Sequence, residues 1–247
     1  MKILPLINPF LQSYEQWSTR TPTPEEMLDI HRRTGQFEIH INDKLLATVT
    51  NPLAAAIHMA KVGADNGLES HIDEALSNSQ EYSLWRSSMP SKTPSEIAKY
   101  QKEYPYCNFE NVSAEINSIG ATLSPGQILF HGGVWPGGQR FVAERSLSTS
   151  LCSQVALRNA EHGGKAYDAG RIDLFVLYIA EPATNIFVYR RNGTNLGHEK
   201  EVLFAKGVEL ELRKQILIRN DYKVYKANGI NLVEKRVPIY VLEVNVR

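Results

Sequence analysis

Hydrophobic and polar positions change their spacing twice along this chain. Residues 1–35 carry turn and helix signals. In Thr21-Pro22-Thr23-Pro24-Glu25-Glu26, Thr23 is placed to cap a helix and Pro24 to occupy its first position. The two glutamates would then sit at the positive end of its dipole. Phe37-Glu38-Ile39-His40-Ile41 alternates, Asn42-Asp43 reads as a tight turn, and 44–49 returns. That pattern predicts a β-hairpin. Asn51-Pro52 then predicts the cap of a helix over 53–61. Hairpin and helix together read as an N-terminal extension over 1–64, ahead of a main domain over 65–247.

Residues 65–120 read as mostly helical. Ile72, Ala75 and Leu76 fall on one helical stripe, and Ile97, Tyr100 and Gln101 fit another less well. Residues 87–94 read as a loop and 112–117 as a last short helix. From about 126 the period changes to that of strands. Strands are expected over 127–131, 145–151, 174–179, 185–189, 201–204, 208–213, 215–219 and 239–246. A Gly/Pro-rich loop is expected over 132–138 and a short helix over 154–160. The fold class is therefore α+β, with helices first and two small sheets after.

Bulk composition excludes more than it identifies. Of 247 residues, 43% are hydrophobic, enough for an ordinary core. Lys+Arg and Asp+Glu number 27 each, so no basic excess marks a nucleic-acid or membrane-surface binder. Cys107 and Cys152 form no CxxC pair and read as two unpaired thiols. The N-terminus is interrupted by Pro5, Asn8 and Pro9, and it lacks a signal-peptide core. No run approaches the roughly 18 apolar residues of a membrane span. The expected location is cytoplasmic where the protein is made; a signal-less delivery route would leave no trace of this kind.

Chemistry concentrates in two short motifs. RSLSTSL contains Ser148-Thr149-Ser150, and GHEKEVLF contains Glu199-Lys200-Glu201. Residues i and i+2 of a strand share a face, so both glutamates face one way if the strand begins by Glu199. Taken singly, such an acid pair is a solvated cluster at a strand end, and three hydroxyls are ordinary strand composition. Taken together, hydroxyls where a sheet meets a helix can hold a buried carboxylate in one rotamer. ILFHGG, with His131 and Gly132, precedes both motifs.

In this order, LFHGG, LSTSL, EKEVLFAKG and the closing IYVLEV make residues 65–247 resemble the mono-ADP-ribosyltransferases of the Arg-Ser-Glu branch. That group includes clostridial actin- and Rho-modifying toxins, vertebrate arginine-specific ectoenzymes and phage transferases. The resemblance implies a split fold of two small packed β-sheets with preceding helices, binding NAD as co-substrate in the cleft between the sheets. It implies no metal. Glu201 matches the catalytic glutamate that hydrogen-bonds the ribose 2′-hydroxyl and stabilises the oxocarbenium-like transition state as nicotinamide leaves. Ser148 matches the serine that orients this glutamate. Thr149 and Ser150 complete the wall of the cofactor site, and Gly132 joins His131 there. Glu199 matches the acid that engages the nucleophile, and a glutamate at this place goes with arginine acceptors on a target protein. The loop over 188–198 matches the acceptor-recognition loop, with Tyr189, Arg190 and Arg191 available to the target.

One position departs from that branch. His131 stands where the branch has an arginine that contacts the NAD phosphate and ribose. The branch resembling diphtheria toxin and the polymerases has His here, but Tyr at the second motif. The chain is thus a His-Ser-Glu hybrid. It is a natural variant in which Arg140 or Arg145 makes the phosphate contact, a weakened or altered enzyme, or a chain substituted to reduce activity. Two other readings use the same motifs: an NAD glycohydrolase with water as acceptor, and an inactive binding module on the same fold. Retention of both acids and all three hydroxyls favours the transferase. His131-Gly132-Gly133 is not accompanied by a GxSxG elbow, His198-Glu199 does not begin HExxH, and GxGxxG and GxxxxGK[ST] are missing. Esterase, zincin, Rossmann and P-loop chemistry therefore have no motif here. Nucleic acid as acceptor is disfavoured by the neutral charge.

Overall fold

The structure is a computed structural model that describes residues 2–190 and 199–247. Its elements are β1 (Ile3–Leu4), β2 (Tyr14–Arg20), α1 (Pro24–Thr34), β3 (Ile41–Val49), α2 (Pro52–Val62), α3 (Asn66–Asn78), α4 (Gln80–Ser87), α5 (Ser95–Glu103), α6 (Phe109–Ile119), β4 (Thr122–Leu123), β5 (Ile128–Gly133), β6 (Arg140–Val142), β7 (Leu147–Ser150), α7 (Ser153–Glu161), α8 (Lys165–Ala169), β8 (Ile172–Ile179), β9 (Ile186–Val188), β10 (Glu201–Phe204), β11 (Glu209–Asn228) and β12 (Asn231–Val246). The fold is α+β, with most helices ahead of the β-rich half.

Helix starts follow local chemistry. Thr23 and Glu26 form a reciprocal capping box with Pro24 behind it. Asn51 accepts from the Ala54 amide at 2.8 Å at the start of α2, and Asp65 and Asn108 cap α3 and α6 in the same way. The hairpin expected at Asn42-Asp43 is not formed. Both residues lie inside β3, which pairs with β2 across α1, Tyr14 opposite Val49 and Arg20 opposite Ile41. The favoured two-residue hairpin turns place a Gly at a positive-φ position, and Asn42-Asp43 offers none.

Among the described residues the main sheet has eight strands, ordered β6-β11-β12-β8-β5-β7-β10-β9. Its two parts meet between β5 and β7 through one register pair, Phe130 opposite Ser150. Elsewhere the ladders are longer: β5 pairs with β8 from Ile128 to Gly133, and β10 with β7 from Glu201 to Phe204. The thinly paired seam is where the cleft described below opens. β8 is buried along almost its whole length, as suits a central strand covered on both faces. Ala55, Ala56, Met59 and Ala60 of α2 and Val155, Ala156, Leu157 and Ala160 of α7 join the same core. Gly132 is required where α7 crosses β5. A Cβ there would lie 1.8 Å from the Ala156 carbonyl oxygen.

The first residues pack onto this body. Ile3 pairs with Thr122. The Ile7 amide donates to Gln127 Oε1 at 2.8 Å, and Trp85 Nε1, fully buried, donates to the Pro5 carbonyl at 2.7 Å. β11 and β12 are longer than expected, covering 220–238 except for the turn at Gly229-Ile230. Their outward residues are charged and resemble a loop in sequence, yet Lys223 pairs with Glu234 across the ribbon at 3.2 Å. Both cysteines are unpaired and buried. No helix among the described residues is long and apolar enough to cross a membrane.

Candidate active site

A cleft of about 940 Å³ opens at the β5/β7 seam, lined by His131, Ser148, Glu199 and Glu201 from the sheet side and by Tyr100 and Gln101 from α5. Its volume lies in the range of small-molecule sites, about 300–1,000 Å³. The three hydroxyls of β7 divide their work because strand residues alternate faces. Ser148 Oγ donates to Glu201 Oε1 at 2.6 Å. Thr149 points the other way and donates to the Val202 carbonyl at 2.6 Å, tying β7 to β10. Ser150 Oγ donates to the Glu199 carbonyl at 2.7 Å and accepts from the Cys152 amide at 3.0 Å. The expected cofactor contacts of Thr149 and Ser150 therefore give way to backbone clamping. Neither lines the cleft, because their hydroxyls are committed to the strand beside them.

Glu201 begins β10 and is 5% exposed. Its second oxygen accepts from Gln101 Nε2 at 3.1 Å. Among the described residues no cation is paired with it. Burial is the largest influence and raises its pKa from 4.5 to about 7, while the Ser148 and Gln101 hydrogen bonds lower it and Glu199 raises it. A carboxylate so poised is half ionised near neutrality, which is where a group that works by changing its charge or its partners belongs.

His131 is half-buried on β5 with its ring edge-on to Phe175. Its Nδ1 lies 2.7 Å from the Ser148 carbonyl. A carbonyl only accepts, so Nδ1 carries the proton. Burial, opposed by that hydrogen bond and aided by Lys165, holds the imidazole below its usual pKa. The ring is then neutral at pH 7, and Nε2 is left as an acceptor. That suits a hydroxyl donor and does not neutralise a phosphate. Of the two arginines expected to replace the missing one, Arg145 lines the cleft, stacked on Phe109 at 4.9 Å. Arg140 is spent on Glu211 at 2.7 Å. Lys165 is a second cation on the cleft wall.

Glu199 reaches the cleft by a different route from the one expected. The strand starts at Glu201, not at Glu199. Lys200 between them has φ 52°, so a left-handed residue, rather than strand alternation, lets both acids line one cleft.

No protein-family model matches the chain, and no curated protein matches it. Solved structures of ADP-ribosylating toxins do. The chain is similar to C2-I, the enzymatic component of the C2 toxin of Clostridium botulinum, at 11% identity and TM-score 0.37, over 66% of this chain and 45% of that one. It thus spans less than half the length of C2-I. It is similar to Plx2a, an ADP-ribosyltransferase toxin of Paenibacillus larvae, at 14% identity and TM-score 0.34, over 67% and 90%. It is also similar to the ADP-ribosyltransferase Vis of Vibrio splendidus, there in complex with agmatine, at 13% identity and TM-score 0.36, over 92% and 87%.

Two expected acceptor residues sit differently from their sequence reading. Tyr189 is 1% exposed, with its hydroxyl donating to the Ile97 carbonyl at 3.3 Å. It is a core residue beneath α5 and is not placed to touch a target. Arg190 is half-buried and donates to the Met89 carbonyl at 3.0 Å. Arg191 lies outside the described residues. Gln101 was not singled out by any motif. Its one sequence signal is a polar residue intruding on the apolar stripe of Ile97 and Tyr100. Trp135, in the glycine-rich loop, packs against Phe141 and Phe175.

Proposed function

We propose that this chain cleaves the bond between nicotinamide and ribose in NAD and transfers ADP-ribose to an arginine of a target protein. The observation that carries the reading is Glu201: a buried carboxylate held on one oxygen by Ser148 and on the other by Gln101, in a cleft shared with an acceptor imidazole and a second acid. A carboxylate without a cation partner is costly to ionise in such a place. It is of use where positive charge develops beside it.

In this mechanism ionised Glu201 accepts from the ribose 2′-hydroxyl, exchanging its Gln101 contact for the substrate. The C1′–N bond breaks with its electron pair going to the nicotinamide ring, whose positive charge is cancelled. The positive charge left on the ribose is stabilised by the carboxylate, whose other oxygen Ser148 keeps in place throughout. His131 Nε2 accepts from a second sugar hydroxyl. Arg145 and Lys165 meet the phosphates. A guanidine nitrogen of the acceptor attacks C1′, and Glu199 takes the proton it loses. No step calls for a metal ion.

The test is nicotinamide release from NAD by the purified chain and by Glu201→Ala, with and without agmatine or cell lysate. Release that depends on Glu201 and rises with a guanidine acceptor supports the transferase. Release indifferent to acceptor makes the chain an NAD glycohydrolase. No release under any condition leaves a binding module and overturns the proposal.

A further inference from the structure

Lys200 stands between the two acids, yet it does not line the cleft. It is 4% exposed and has the one positive φ, 52°, among the described residues other than glycine. L residues rarely adopt that conformation, and it persists where the surroundings over-determine it. Here they do. Lys200 Nζ lies 2.9 Å from Asp73 Oδ1 and 3.6 Å from Glu69 Oε1, acids one helical turn apart on α3. Glu69 is in turn fixed by Gln154 Nε2 at 2.6 Å and by Arg158 at 3.0 Å. The cation is drawn toward α3, while Glu199 and Glu201 both reach the cleft.

The two acids depend on this anchor unequally. Glu201 is inside the β10 ladder opposite Ser150 and is held at its carboxylate by Ser148 and Gln101. Glu199 lies before the strand begins. Ser150 Oγ holds its carbonyl, and the left-handed turn at Lys200 sets the direction in which the chain leaves the strand. From this we infer that α3, through Asp73 and Lys200, positions Glu199 for the acceptor, so that the anchor governs transfer rather than cleavage. The inference rests on the transferase reading and adds two positioning residues, neither of which touches substrate.

Nicotinamide release into water and ADP-ribose transfer to agmatine are measured in parallel for wild type, Asp73→Asn, Asp73→Glu, Lys200→Met and Glu201→Gln. Asp73 is 42% exposed at its side chain, so its variants test the idea even if Lys200→Met fails to fold. A misplacement of about 1 Å can cost on the order of 100-fold in rate. Asp73→Asn and Lys200→Met are expected to lower transfer at least roughly tenfold while hydrolysis falls less than roughly threefold and KM for NAD holds. Asp73→Glu should restore transfer. Equal loss of both activities, or no loss in either variant, overturns the inference. Wild type that fails to release nicotinamide, or Glu201→Gln that still releases it, overturns the underlying reading instead.

Discussion

Replacing Glu201 by Gln should disable the protein and stabilise it, with the stabilisation depending on pH. Gln keeps an oxygen for Ser148 and removes the buried charge. Folding favours the protonated form of Glu201, whose pKa rises from 4.5 to about 7 with burial as the main cause. That favourable contribution is whole below the ordinary carboxylate value and lost as pH rises through about 7. At about 1.4 kcal/mol per pH unit, the full span amounts to about 3 kcal/mol. Between about pH 5 and pH 8 the difference between the variant and wild type should grow by roughly 2.5 kcal/mol. For a chain of this size that is a widening of roughly 5–10 °C in Tm. Thermal unfolding of both proteins at the two pH values measures it, beside nicotinamide release. A gap in Tm that is the same at both pH values would show that Glu201 is not held protonated by burial. Stabilised and fully active Glu201→Gln would remove the carboxylate from the chemistry.

Other expectations follow from single contacts. The pH profile of kcat/KM for NAD cleavage should rise through about 7, as Glu201 ionises; in Gln101→Ala, which loses a hydrogen bond that lowers that pKa, the rise should move to higher pH, and an unmoved profile would separate Gln101 from Glu201. Gly132→Ala should unfold the protein or lower its Tm by well over roughly 10 °C, since α7 cannot cross β5 with a methyl 1.8 Å from a carbonyl oxygen; circular dichroism melting decides it. Thr149→Val should cost about 1–2 kcal/mol through the lost bond to Val202, with KM for NAD unchanged. A large rise in KM would return Thr149 to the wall of the cleft.

Much of the local structure was legible in the chain. Thr23-Pro24 and Asn51-Pro52 begin helices because a cap and a fixed proline φ act within one turn. The strand at 201–204 was legible as a short apolar run, with an acid at its head. Glu201, Ser148, Glu199 and His131 were all named from motifs, and the fold brings them to one cleft. The seam between the two parts of the sheet was expected as a division into two sheets, and the structure joins them by a single pair.

What the chain did not reveal depends on who meets whom. β3 alternates equally well as half of a hairpin or as the partner of β2, and only the pairing in the fold shows which; the intervening α1 buries none of its residues. The face taken by Thr149 and the burial of Tyr189 are settled by strands and helices far away in sequence. Gln101 meets Glu201 across 100 residues, and the left-handed Lys200 pairs with acids on α3 that no spacing rule connects to it. The sequence by itself determined the reactive residue types and the elements that carry them, since propensity, capping and alternation act over a few positions. Only the tertiary structure decided which carboxylate is buried and which donors hold it, because desolvation and hydrogen-bond geometry are properties of the assembled neighbourhood.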